Sequence, residues 1–250
     1  MPASSSSNLQ GQVAIITGAS QGIGQAIAHH LAPLGIHLVL CARNVEKLTR
    51  LSQDLALAHP NVQTLPLACD VRDVEQVQRV IETTQKTFGK IDVLINNAGV
   101  AAKLGLLQEM SIADIDRTID TNLKGAIYFM HGVLPVMVQQ AGGIIININS
   151  VAGKTAYPFW GVYDASKFGL YAITEAVAEE QRSNNIKVIG IYPGAVDTAI
   201  WQGLHTDDAA PKRDGMLEPE HVAEAVTYIL NQPEKVFIKD LTLTPLKPLV

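Results

Sequence analysis

Apolar residues recur along this chain in short β-branched runs, separated by longer stretches with helical spacing of apolar and polar positions. The runs are Val13-Ala14-Ile15-Ile16, Leu38-Val39-Leu40-Cys41-Ala42, residues 62–69, Ile91-Asp92-Val93-Leu94-Ile95, Ile144-Ile145-Ile146-Asn147-Ile148 and Ile186-Lys187-Val188-Ile189-Gly190-Ile191. Short apolar runs bounded by turn formers predict strands buried on both faces. A last strand is predicted to begin at Val236-Phe237-Ile238, and Pro66 assigns the third run to a sheet edge, where a missing N–H is tolerated. Helices are predicted from the glycine-rich stretch to 34, over 45–58, 73–88, 111–140, 163–182 and 220–230. Gly35 ends the first of these, where a left-handed residue is wanted. Regular alternation of strand and helix predicts an α/β fold: a doubly wound parallel sheet of about seven strands, helices on both faces and right-handed crossovers. No repeat or linker breaks the pattern, so one domain is expected over 11–250 after a disordered tail at 1–10.

The first strand runs into Thr17-Gly18-Ala19-Ser20-Gln21-Gly22-Ile23-Gly24 and then a helix. Glycines between a strand and a helix let backbone N–H groups approach a pyrophosphate, which the helix N-terminus also favours. The spacing G-x-x-x-G-x-G differs from G-x-G-x-x-G, but its place between strand and helix predicts a dinucleotide site. The second strand ends in Ala42-Arg43, with no carboxylate where a ribose 2′-hydroxyl would need one. Arg43 is then a phosphate ligand or a solvated loop arginine. Asp70, past the third strand, could accept from an adenine amine or cap the following helix. Asn96-Asn97-Ala98-Gly99 is read as a turn whose amides brace neighbouring loops and the cofactor. Asn122 and Gly125 are poor helix residues inside an otherwise apolar helix, which marks a local constraint or, for Asn122, a satisfied core asparagine.

Ser150 follows the fifth strand, and Tyr163 and Lys167 stand four residues apart on the next helix, so phenol and ammonium share a face. Taken alone, that pair is read equally well as a helix-surface contact. A tyrosine pKa of roughly 10 is too high for a base near neutrality, and an adjacent ammonium is expected to lower it. Serine, tyrosine and lysine together at a strand's carboxyl end predict a proton-transfer site. Periodicity fails over 198–215, where an active-site lid is expected.

Composition narrows the classes. Charged residues are 17% and hydrophobic residues 47%, the balance of a globular protein rather than a disordered one. A net charge of −5 without a basic run excludes nucleic acid and anionic membrane as expected partners. Cys41 and Cys69 read as buried free thiols of a reducing compartment. The opening residues carry neither the apolar stretch nor the basic flank of a signal peptide, and no run is long enough to span a bilayer. A cytoplasmic protein is expected, with no metal site.

Taken together, Thr17, Gly18, Gly22 and Gly24, the Asn96–Gly99 turn, Asn122, Ser150, Tyr163, Lys167 and Pro193-Gly194 resemble the short-chain dehydrogenase/reductase family over about residues 10–245. The resemblance implies a Rossmann-type sheet and catalysis by Asn122, Ser150, Tyr163 and Lys167. It implies cofactor contacts at Gly18, Ser20, Gln21, Gly22, Ile23, Gly24, Arg43, Asp70, Val71, Asn97, Ala98, Gly99, Tyr163, Lys167, Pro193, Gly194, Val196 and Thr198. Asn122 would anchor a water beside Lys167, and Lys167 would hold the nicotinamide ribose. With Ala42-Arg43 the expected cofactor is NADP. The expected reaction is hydride transfer between nicotinamide and a small-molecule carbonyl or secondary alcohol, as in a carbonyl reductase or alcohol dehydrogenase. Val151, Tyr157, Phe159, Trp160, Val196 and Trp201 suit a moderately apolar substrate or, equally, the packing of the core. A 3-hydroxy-acid dehydrogenase or 3-oxoacyl reductase is the second reading. A non-catalytic NADP-sensing protein and a methyltransferase are rivals from other classes. Apolar residues on nearly every face of the two helices after 115 and 163 predict a homo-oligomer, a dimer or tetramer in the resembling family.

Overall fold

The computed structural model describes residues 9–101, 104–201 and 215–246. Its seven strands are β1 (Val13–Thr17), β2 (His37–Ala42), β3 (Thr64–Ala68), β4 (Val93–Asn96), β5 (Gly143–Ile148), β6 (Ile186–Pro193) and β7 (Asp240–Leu243). They form one sheet in the order β3-β2-β1-β4-β5-β6-β7. Every pairing is parallel. The helices are α1 (Gly22–Leu31), α2 (Val45–Ala58), α3 (Val74–Phe88), α4 (Ile112–Ile119), α5 (Gly125–Gln139), α6 (Gly161–Glu180) and α7 (Pro219–Leu230). Among the described residues no helix is long and apolar enough to cross a membrane.

Side-chain alternation along the strands divides the core in two. Ala14 and Ile16 face α1, α2 and α7 in one cluster, while Val13 and Ile15 face α3, α5 and α6 in the other. A slip of one residue would exchange the two sets, so both faces fix the register. Each fully buried isoleucine contributes roughly 1.5–3 kcal/mol, which makes such a slip costly.

Strand order reverses between β1 and β4. Their following loops therefore diverge and leave a crevice beyond the carboxyl ends. Pro66 lies on β3, which is indeed the sheet edge. Gly35 takes φ +78, closing a short 3-10 turn that extends α1. Asp73 caps α3 by accepting from the amides of Glu75 and Gln76, so Asp70 is not that cap.

Three elements differ from expectation. The helix predicted over 111–140 is interrupted by a π turn at 120–124, between α4 and α5. Tyr163 is the third residue of α6 rather than its first. The final strand lies at Asp240–Leu243, and Val236-Phe237-Ile238 is not a strand. Phe237 instead packs against both core clusters, and the Val236 carbonyl, which a sheet ladder would have used, accepts from Lys187 Nζ at 2.7 Å.

Candidate active site

The crevice is an open cleft of about 1080 Å³ running across the carboxyl ends of the strands. Its floor begins with the loop after β1. Gly18 (φ +65) and Gly22 (φ +56) occupy the left-handed region, where a side chain would be strained. A Cβ at Gly18 would lie 2.9 Å from the Ala98 backbone, and one at Gly24 would strike the Gly18 carbonyl. Gly24 is thus a packing glycine beneath the loop and does not line the cleft, whereas Gly18, Ser20, Gln21, Gly22 and Ile23 do. The expected brace is present. Thr17 Oγ1 accepts from the amides of Asn97 (2.9 Å) and Ala98 (3.0 Å), and Asn97 Nδ2 donates to Thr17 O at 2.9 Å. Asn97, Ala98 and Gly99 line the cleft, while Asn96 turns inward to Asn147 Oδ1 at 2.9 Å.

At one end, Ala42 and Arg43 line the cleft, and Arg43 is solvent-exposed. Sequence reasoning missed two further cations there, Lys47 and Arg72. Lys47 Nζ donates to Gln21 Oε1 at 3.1 Å, which brings a helix cation to the glycine loop. The signal existed, because Lys47 follows Arg43 by four residues at the start of α2. Arg72 grips both oxygens of Asp70, Nη2 to Oδ2 at 2.6 Å, and this bond holds the Asp70 carboxyl below its usual range. Asp70 therefore enters the cleft as half of an ion pair rather than as a free acceptor. Val71 lines the cleft and also packs where a Cβ on Gly125 would have to sit, which accounts for that helix glycine.

Across the cleft, Ser150, Tyr163 and Lys167 converge as expected. Ser150 stands just past β5, its Oγ accepting from the Ala152 amide at 3.1 Å. Burial, with a smaller contribution from the Asp164 charge, pushes the Tyr163 phenol up to about 12, against a lowering by its hydrogen bond with Ser150. This corrects the expectation of a phenol lowered by Lys167. The ammonium is buried, donates to the Ile148 carbonyl at 3.1 Å, and lies 5.8 Å from the Tyr163 ring centre. Burial also lowers Lys167 to about 8. Asn122 sits in the π turn behind the wall, not on the cleft surface. Its amide closes on Val100, accepting from N and donating to O at 2.8 Å each, and donates to Ser166 Oγ at 3.1 Å. With the side chain so engaged, Asn122 locks the loop after β4 to α6. π turns of this kind recur at functional sites.

The far wall carries Pro193, Gly194, Val196 and Thr198 from the loop after β6, with Val151, Tyr157, Trp160 and Trp201. The Thr198 methyl lies over Gly22, within 3.3 Å of where a Cβ would be. The Trp160 and Trp201 rings meet edge-on at 5.8 Å, and Trp160 meets Tyr163 in the same way at 5.4 Å. Phe159 departs from expectation: it turns away from the cleft and is 58% exposed. Cys69 reaches the cleft edge, but burial raises its thiol to about 12, and both cysteines are buried and free. The lid expected over 198–215 falls mostly outside the described residues.

Known proteins match this chain along most of its length. A family model described as short chain dehydrogenase matches residues 12–209. The chain belongs to the short-chain dehydrogenase family. An uncharacterized oxidoreductase of Staphylococcus aureus is 36% identical over 237 residues, covering 95% of this chain and 98% of that one. An alcohol dehydrogenase from the archaeon Thermococcus sibiricus, complexed with 5-hydroxy-NADP, superposes with a TM-score of 0.86 at 30% identity, covering 95% and 98%. A metagenomic short-chain oxidoreductase in complex with NADP gives 0.83 at 33%, covering 97% and 100%. The short-chain dehydrogenase chain described here fits a dinucleotide on its own terms. Two left-handed glycines open the loop backbone to the cleft, and three cations stand at its outer end.

Proposed function

We propose that this short-chain dehydrogenase is an NADP-dependent oxidoreductase acting on a carbonyl compound or the corresponding secondary alcohol. The observation that carries the reading is one continuous cleft with Ser150, Tyr163 and Lys167 at one end and, at the other, Arg43 and Lys47 beside a β2 tip that ends in Ala42, the Asp70 carboxylate there being paired with Arg72. NADPH would lie along Gly18–Ile23 and Asn97–Gly99, its 2′-phosphate toward Arg43, and when bound it supplies the hydride.

The chain's own residues supply the rest. A phenol near 12 is fully protonated at neutral pH, so Tyr163 stands ready to donate a proton to an oxygen that is gaining charge. Ser150 holds and polarises that oxygen beside the phenol. Lys167 supplies positive charge behind Tyr163 and a donor toward the ribose. Asn122 keeps the loop after β4 against α6, so these groups do not drift apart. Trp160, Trp201 and Tyr157 make the substrate end aromatic, which suits an apolar ketone. NADPH oxidation followed by absorbance, over a panel of aliphatic, aryl and 3-oxo ketones, tests the reading. Turnover of apolar ketones with NADPH supports it. Turnover with none of them, or equal use of NADH, counts against it.

The same reading includes a homo-oligomer formed through α5 and α6. Ala165, Phe168, Ala172 and Ala176 form an exposed stripe along α6 at helical spacing, with Phe168 40% exposed. An apolar stripe of that length on the outer face of a sheet-covering helix is suited to a second copy.

A further inference from the structure

Residues 157–160 form a tight turn, closed by Trp160 N donating to Tyr157 O at 3.1 Å. Pro158 occupies its second position and Phe159 its third, with Phe159 at φ +72. That is the pattern of a type II turn, whose third position is normally glycine because a side chain is strained there. The strain is not spent on presenting Phe159, which points outward. Its effect is to aim the two flanking residues, Tyr157 and Trp160, into the cleft.

A bulky residue stays in this conformation only where its surroundings over-determine it. Here the restraint comes largely from one residue, Asp164, on the first turn of α6. Its Oδ2 accepts from the Tyr157 amide at 2.7 Å, at the start of the turn. Its own amide donates to the Trp160 carbonyl at 2.9 Å, at the end. The Phe159 carbonyl between them accepts from Gly105 N at 3.3 Å. The Asp164 side chain is buried, and among the described residues its Oδ1 has no hydrogen-bond partner. The helix fixes its backbone, and among the described residues the bond to the Tyr157 amide is the one that fixes its carboxylate. Tyr163, the next residue back, carries the phenol, so clamp and proton donor share one helical turn.

We propose that Asp164 is a positioning residue that holds the strained 157–160 turn shut, and that the aromatic substrate wall exists only while it does so. The inference rests on the preceding reading only in naming this wall as the substrate's; the clamp itself can be tested without any substrate. The chain's two tryptophans are Trp160 and Trp201, and both stand in this wall. Intrinsic tryptophan emission thus reports on the wall alone. The probe is acrylamide quenching of the full-length protein, with NADPH titration as a check that the cofactor end is intact.

Asp164→Ala should make the tryptophans clearly more quenchable while NADPH affinity holds. With any ketone turned over in the panel, KM should rise about tenfold, the scale of one lost hydrogen bond to a charged group, with a smaller change in kcat. Asp164→Asn retains an acceptor oxygen and should stay near wild type in both readouts. Phe159→Gly removes the strain that the clamp opposes, so adding it to Asp164→Ala should restore the wild-type quenching. It should also restore folding if the single variant fails to fold. The proposal is overturned if Asp164→Ala leaves quenching unchanged, if Asp164→Asn is damaged as badly as the alanine variant, or if Phe159→Gly restores nothing.

Discussion

The two ends of the cleft are built from different materials. The inner part of the β1–β2–β4 end is mostly backbone, where left-handed glycines braced by the Thr17 hydroxyl and the Asn97 amide hold the chain clear of a ligand, and the side chains of Arg43, Lys47 and Arg72 stand at its outer tip. The end beyond β5 is mostly side chain, with Ser150, Tyr163, Trp160 and Trp201 converging from a strand end, a helix and two irregular loops. A backbone surface recognises what every dinucleotide shares, its phosphates and sugars. A side-chain surface recognises what differs between substrates, and it can be altered without disturbing the other end. The comparison predicts that damage should sort by end, and that only residues at the junction should harm both functions.

Lys167 is the junction residue, buried between Ile148 and the Tyr163 ring. Lys167→Ala should lower kcat at least about a hundredfold, the usual scale of disabled acid–base catalysis, and should also weaken NADPH binding. An effect confined to one of these would place Lys167 at one end only. Ala42→Asp and Arg43→Ala should act at the other end. Each should cut the NADPH-over-NADH preference in kcat/KM by about ten- to a hundredfold, the value of one charge-assisted hydrogen bond or its reversal. Unchanged ketone KM in both variants would show the two ends to be separable. If Lys47 shares the phosphate, Arg43→Ala should fall at the lower end of that range, because Lys47 is already directed to the loop through Gln21.

A smaller effect concerns pH. Lys167 is lowered to about 8 by burial, beneath its unfolded value of roughly 10.4. Between those values the unfolded chain holds the extra proton, so this group's contribution to stability rises with pH across that window. Its charge moves the other way and is present below 8 and lost above it. Accordingly kcat/KM for NADPH, which reports the free protein, should fall through a step near pH 8, by about tenfold per unit above it. A profile flat to pH 10 would mean that this charge does not serve cofactor capture. The smallest effect on chemistry should come from Phe168→Glu on the α6 stripe. Light scattering should show a lower mass at micromolar concentration, with kcat little changed. A wild-type protein that is already monomeric would remove the oligomer from the account.

How much of this was legible in the sequence follows the same division. The glycine loop could be read because a backbone that must adopt positive φ leaves glycine at Gly18 and Gly22. The brace could be read only as one alternative to a plain turn, because paired asparagines before a glycine suit both. Gly125 beside Asn122 showed as a constraint, and the structure gives its two causes, the Val71 contact and the π turn. Burial could not be read, and burial sets Tyr163 near 12, where a pairing argument had expected a lowered value. Nor could the direction of Phe159, because the φ that turns it outward comes from the Asp164 clamp and not from its own residue type. The last strand was misplaced because its residues are only half-buried at the sheet edge, while the apolar run before it serves the core through Phe237.

The most direct test is one variant measured twice. Tyr163→Phe deletes a single hydroxyl from the side-chain end and touches nothing in the glycine loop. Ketone-dependent NADPH oxidation by this variant should drop to a hundredth of wild type or below, on the order expected for a lost general acid, while NADPH titration of the same preparation gives the wild-type Kd. Retention of more than about a tenth of wild-type kcat would contradict proton donation by Tyr163. A large loss of NADPH affinity would contradict the separation of the two ends.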